Sequence, residues 1–255
     1  MRRLFHQSLT VMQNAFRRLE EQVPPPQAMR WKDGFVFRHK EEMIEQALLQ
    51  KLARSISGLH AIDVLLLHGL VQEQAALQRI LDEIHEDIFF LAAAITNDKV
   101  TDRHKQYLKA FYAEEFPDPD NLLARHEKPN MVPRKKIRAY VNRILSKDQN
   151  PSRLSDVGET ISSVYSGYVH ASSPQIMDMC GGDPPRFHVS GMLGTPRVAE
   201  HVEDAWNYYY RGLGALTVVA KAFGDKPLVD TLYEYIAKFE ATSGTNYSES
   251  GRNET

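Results

Sequence analysis

The stretch from Gln72 to Ile95, QEQAALQRILDEIHEDIFFLAAAI, decides the fold class. Leu77, Ile80, Leu81, Ile84, Ile88, Leu91, Ala92 and Ile95 recur every three or four residues, which on an α-helix gathers them into one wide apolar stripe. At about 100° per residue, Arg79, Glu83 and Phe90 fall close together on the far side. That far face is either solvated or covered by another helix. Just upstream, Arg38 to Leu70 reads as a long helix that becomes apolar on most sides toward its end, as a central helix does. Gly69 breaks the pattern between the two, which predicts an antiparallel helical pair.

Working outward, Phe5, Leu9, Met12, Phe16 and Leu19 predict an amphipathic N-terminal helix stopped by Pro24-Pro25-Pro26. It packs either on the body or on a second subunit. A glycine-containing turn follows near Trp31 to Phe37. Downstream, a helix is predicted from Thr101 to Glu115, then an irregular proline-containing stretch from Phe116 to Pro133. Arg134 to Lys147 places Ile137, Val141, Ile144 and Leu145 on one helical face and its cations largely elsewhere. Pro151 and Ser152 introduce a further helix that ends near His170. Ser173-Pro174 and Thr195-Pro196 carry the signature of an N-cap followed by proline at the first helical position. The first opens a short helix to Cys180, and the second opens a long one that Gly224 ends. Between them lies a Gly/Pro-rich loop, Gly181 to Gly194, with a short extended piece at Phe187-His188-Val189. A last helix spans Pro227 to Phe239. No stretch alternates in the manner of a strand. The expected architecture is all-α: an N-terminal helix and proline linker over 1–27, a helical bundle over 28–240 and a disordered tail over 241–255.

Of 255 residues 42% are hydrophobic, enough for a substantial core, and the formal charge of −2 leaves any nucleic-acid contact to a local patch. A single cysteine, Cys180, rules out an intrachain disulfide framework and points to a reducing, cytoplasmic setting. Polar His6, Gln7, Ser8 and Thr10 interrupt any leader-like apolar segment, and Ile56 to Val71 is too short and too polar to span a membrane.

Two segments carry candidate chemistry. On a helix Ser163, Ser166, Gly167 and His170 share a face whose small side chains let another helix approach. An imidazole held there either serves a helix C-terminal carbonyl or moves protons near neutral pH. The basic run Arg134, Lys135, Arg138, Arg143 and Lys147 either contacts phosphates, with Tyr140 as its one aromatic, or forms a solvated face. Asp82 with His85, and His201 with Asp204, have metal-ligand spacing, but a di-iron bundle needs Glu-x-x-His on two helices and two more glutamates, and that set is missing. His60 and Asp63 pair most simply with each other. No glycine-rich phosphate loop, nucleophile elbow or other cofactor motif is present.

Leu52-Ala53-Arg54-Ser55-Ile56, Ala61-Ile62-Asp63-Val64-Leu65-Leu66, Leu77-Gln78-Arg79-Ile80-Leu81-Asp82-Glu83 and Tyr165-Ser166-Gly167-Tyr168-Val169-His170-Ala171-Ser172 resemble, in that order, a bacterial family of uncharacterised helical proteins that looks like a branch of the HEPN superfamily. The resemblance covers roughly Arg38 to Gly224. It implies a HEPN-like helical bundle that dimerises through helices near the histidine. Many HEPN members are metal-independent RNases with an arginine, four to six intervening residues and a histidine. Here that spacing before His170 selects Ser163, Val164 and Tyr165, so the arginine is missing. Arg54 and His60 have the spacing but lie about 240° apart on one helix. Arg79 could supply the guanidinium from another helix, oriented by Glu83, or simply form a salt bridge four residues apart. The candidate catalytic set is therefore His170, Arg79, Glu83 and Tyr165. The implied function is RNA binding or processing in stress or defence, and the alternative is a non-catalytic module for protein interaction or oligomerisation.

Overall fold

The computed structural model describes residues 1–114, 121, 129–145 and 164–245. Its elements in chain order are α1 (Arg2–Glu20), β1 (Gln27–Trp31), β2 (Gly34–Arg38), α2 (Ile44–Leu67), α3 (Val71–Thr96), α4 (Asp102–Tyr112), α5 (Arg134–Leu145), the helical residues 164–169 (α6), α7 (Ser173–Met177), β3 (Cys180–Gly181), β4 (Arg186–Phe187), α8 (Pro196–Ala222) and α9 (Lys226–Ser243).

The apolar stripes specify a bundle of α1, α2, α3, α8 and α9. Leu48, Leu52, Leu59 and Ile62 of α2 and Leu81, Ile88 and Leu91 of α3 are all at 1% exposure or less, with Leu81 seated against Gly58 of α2 and Leu59 against Gly212 of α8. At about 25 cal/mol per Å² of apolar surface removed from water, such side chains each contribute a few kcal/mol, which makes this seam the main driving force. The N-terminal helix packs on the body: Leu4, Phe5, Leu9, Met12, Ala15 and Leu19 are buried, and the Phe5 ring stacks on Tyr209 of α8 at 4.2 Å and 2°. Arg18 donates twice to Asp225, at 2.6 Å each, and Asp225 also caps α9 by accepting from the Leu228 amide. Removal from water opposes the charged form of Asp225, but these donors and Gln22 hold its pKa below the usual carboxylate range. One carboxylate thus ties the first helix to the start of the last.

The long helix expected from Arg38 starts only at Ile44, and the segment before it is a β-hairpin. Strand alternation was invisible because both faces of that hairpin are largely exposed, so no residue had to be apolar on every second position. A second, two-residue pairing joins Cys180–Gly181 to Arg186–Phe187, displacing the expected extended piece at 187–189 by one residue. Thr195 does precede α8, but its hydroxyl donates to the Met192 carbonyl rather than capping the helix. The short helix opens one residue earlier than expected, with Ser172 at the N-cap, and stops at Met177. The last helix continues through Ser243, so the expected disordered tail begins inside it, and 246–255 lie outside the described residues.

The α2–α3 turn is where the backbone is most constrained. Gly69 has φ +68, and a Cβ there would lie 2.6 Å from the Leu193 nitrogen and 2.7 Å from that of Met192. Gly191 approaches from the other side, its hypothetical Cβ 2.2 Å from the His68 carbonyl oxygen, and the Met192 amide donates to the Gly69 carbonyl at 2.8 Å. Both glycines are required for the 178–195 segment to seat on the turn. Gly69→Ala is expected to cost about 2–4 kcal/mol, the sum of a left-handed side chain and a backbone clash, measured by urea unfolding.

Candidate functional site

His170 sits at the end of α6. The chain leaves the helix through Ala171 at φ +52, with the Ser172 amide bonded to the Gly167 carbonyl at 2.9 Å, the 6→1 bond of a Schellman cap. The imidazole is exposed, and among the described residues no arginine bonds to it. The small face beside it is occupied by α7: Gln175 fills the space a Gly167 side chain would need, with its Cδ 2.4 Å from that Cβ position. Gln72 of α3 donates to the Gln175 carbonyl at 2.7 Å and completes the contact. Ser163 lies outside the described residues.

The tyrosines of α6, rather than its histidine, engage α8 and the loop before it. Tyr165 donates to Asp204 at 3.2 Å and meets Tyr208 edge-on at 6.0 Å. Tyr168 donates to Asp178 at 3.1 Å. Burial, then the neighbouring carboxylates, pushes the Tyr168 phenol up to about 12 and Tyr165 higher still, so both are neutral donors. Arg79 and Glu83 do pair, at 2.7 Å, but with each other along α3. The structure therefore brings together two of the four candidate residues. His170 and Tyr165 stand apart from that pair. Arg79 and His85 also share the arginine–histidine interval, but His85 is buried against Ser55, at 2.9 Å, in the core.

Where α3 meets α8 there is a buried polar seam. Asp82 accepts from Tyr208 at 3.2 Å and from Arg211 at 2.5 Å, and His201 donates through Nδ1 to Gln74 at 2.5 Å. The pairs with metal-ligand spacing, Asp82 with His85 and His201 with Asp204, thus share one seam, but each residue answers a different partner. Among the described residues no three His, Cys, Asp or Glu side chains are grouped to hold a metal. Gln74 Nε2, both amide atoms of Gln78, Asp82 Oδ2 and His85 Nδ1 are buried without a protein partner. They line one face of α3, and groups of this kind are met by ordered water.

The basic run divides. Arg134 bonds Asp87, Glu86 at 3.0 Å and the Glu83 carbonyl at 2.6 Å, and Arg138 bonds Glu86 at 2.7 Å. Lys51 of α2 reaches Asp87 from the other side at 2.7 Å. These two arginines dock α5 on α3 and are not a free phosphate-binding face. Lys135 is exposed, and Lys147 lies outside the described residues. Arg143 is different: with Tyr140 and Ile144 it lines a cavity of about 510 Å³ whose other walls are Asn97, Lys99, Thr101, Asp102 and Arg103. Among the described residues Lys99, Arg103 and Arg143 form no ion pair. The start of α4 beside the cavity is anchored to α3 by His104, whose Nδ1 accepts from the Thr101 amide at 3.0 Å while Nε2 donates to the Phe90 carbonyl at 3.2 Å. Lys99 and Arg103 carried no sequence signal, since they are isolated cations that meet Arg143 only through the α3–α4 turn.

Comparison with protein-family models, with curated proteins and with solved structures finds no match.

Burial lowers the pKa of His85, His104 and His201 below that of an exposed imidazole, furthest for His85, where the nearby Arg211 adds to the effect. The unfolded chain therefore binds more protons than the folded one in mild acid. Stability from these groups is present above the unfolded value of about 6.5 and is lost as pH falls toward the depressed folded values. The urea midpoint is expected to fall between about pH 7.5 and about pH 5.5, and His85→Leu to shrink that fall.

Proposed function

We propose that this chain is a non-catalytic helical module that binds RNA through its phosphates. One observation carries the reading: three cations from three segments, Lys99 after α3, Arg103 in α4 and Arg143 in α5, line a single cavity without neutralising partners among the described residues. Asp102 offsets part of that charge, and the balance still favours an anion. Tyr140 offers an aromatic wall on which a base can pack. The resemblance to HEPN proteins is consistent with RNA as the partner. Catalysis is left out because hydrolysis of a phosphodiester needs a guanidinium and an acid–base group at one phosphate. Arg79 is tied to Glu83 while His170 faces solvent.

A second reading, a homodimer or protein-interaction module, is favoured by exposed apolar side chains in the segment from the end of α6 onward: Val169, Met177, Phe187 and Val189 are all at least 47% exposed. It predicts a doubled mass by light scattering, reduced to the monomer by Phe187→Asp with Val189→Asp.

For the RNA reading, binding of a short single-stranded RNA should weaken with salt with a log–log slope of about −2 or steeper, from at least three phosphate contacts at about −0.7 each. Arg143→Glu with Arg103→Glu should flatten that slope, whereas His170→Ala should bind as wild type and neither protein should cleave RNA. Absence of RNA binding at low salt would sink the reading, and cleavage abolished by His170→Ala would replace it with a nuclease.

A further inference from the structure

The β1–β2 hairpin presents aromatic surface to solvent at a place the core does not use. Its register pairs Ala28 with Phe37 and Arg30 with Phe35, so these four residues share one face of the ribbon. Phe35 is 64% exposed and Phe37 58%, with ring centroids 5.3 Å apart at 79°. Exposed Arg30, Lys32 and Lys40 surround them. On the ribbon itself, residues 27–38, the charged side chains are Arg30, Lys32 and Arg38 against Asp33, with Arg38 paired to Glu114, and beyond it Lys40 is followed by Glu41 and Glu42. The ribbon is held in place on its other flank: Arg38 pairs with Glu114 just past α4, and Tyr112 donates to the Met43 carbonyl at 2.8 Å. Two phenylalanines on a held, cationic ribbon are poorly explained by folding, because their burial in the chain contributes little.

We propose that this hairpin is a stacking platform for unpaired bases of single-stranded nucleic acid, a site that rests on the RNA-binding reading above and lies apart from the cationic cavity. The charge decides the occupant. Bases supply π faces to Phe35 and Phe37 while their phosphates meet Arg30, Lys32 and Lys40, so both halves of the surface are matched by one polymer. Phenylalanine offers no hydrogen bond, so the platform is indifferent to sequence and selects for unstacked bases. Its position agrees with this. The hairpin lies at the C-terminal end of α4 and the cationic cavity at its N-terminal end, about 16 Å apart for an 11-residue helix, and Lys105 and Lys109, about 40° apart around the helix, are exposed between them. A short single strand laid along α4 reaches both.

The test uses the full chain, a fluorescein-labelled uridine 12-mer and an RNA duplex of equal length, followed by anisotropy. Wild type is expected to bind the 12-mer more tightly than the duplex. Phe35→Ala with Phe37→Ala should weaken the 12-mer by about tenfold or more, leave the duplex unchanged and preserve the salt slope, since no charge is removed. Phe35→Trp with Phe37→Trp should restore binding, which separates loss of stacking from loss of folding. If the alanine variant binds the 12-mer like wild type while Arg143→Glu with Arg103→Glu weakens it, the platform is wrong and the RNA-binding reading stands. If wild type binds neither RNA, both fall. Phenylalanine-dependent sedimentation with anionic phospholipid vesicles, without binding of the 12-mer, would make the hairpin a membrane contact and overturn the proposal.

Discussion

Charge buried against α3 is the constraint on which the rest of the arrangement depends. Asp82 and Asp87 sit where neighbouring helices exclude water, with Glu86 half-buried beside them, and an unpaired carboxylate in such a place costs on the order of 3–5 kcal/mol. Arg211 of α8 answers Asp82, while Arg134 and Arg138 of α5 and Lys51 of α2 answer the other two. Apolar packing alone would let α5 slide along α3, because Ile137 and Val141 are the apolar anchors it buries. The ion pairs fix its register. That register brings Arg143 and Tyr140 to the α3–α4 turn, so the cationic cavity is a consequence of pairing made about one and a half to two and a half turns before Arg143.

This explains which parts of the molecule could be read from the sequence. The α2–α3 pair was legible because its signal is periodic and local: Leu77 through Ile95 repeat at helical spacing, and Gly69 marks the turn. Pro174 and Pro196 marked the starts of α7 and α8 to within a residue, although neither Ser173 nor Thr195 caps its helix through its side chain. The β1–β2 hairpin was not, since a strand exposed on both faces has no alternation to show. Arg134 and Arg143 looked alike in the sequence, both basic residues on one short helix. Only the partners supplied by α3, 47 residues upstream of Arg134 in the case of Asp87, separate a docking arginine from a free one.

The same distinction bears on the histidine of α6. A serine- and glycine-rich face ending in histidine suggested a polar centre, and the small residues do admit a close neighbour, the Gln175 side chain. The polar centre lies one helical face away, with Tyr165 and Tyr168 turned toward Asp204 and Asp178. His170 itself occupies the C-cap position and points to solvent. The buried seam on α3 is polar for a different reason: Asp82 is held between Tyr208 and Arg211 of α8, and His201 is held by Gln74.

The contact between Phe5 and Tyr209 sets a schedule for folding. The first helix finds its stacking partner 204 residues later in the chain, and its clasp to Asp225 later still. At a synthesis rate of about 5–20 residues per second, the apolar face of α1 waits roughly 10–40 s before α8 is made. During that interval α1 and the α2–α3 pair must shelter one another or a chaperone. Closure of the bundle is thus a late event that joins the two ends of the fold.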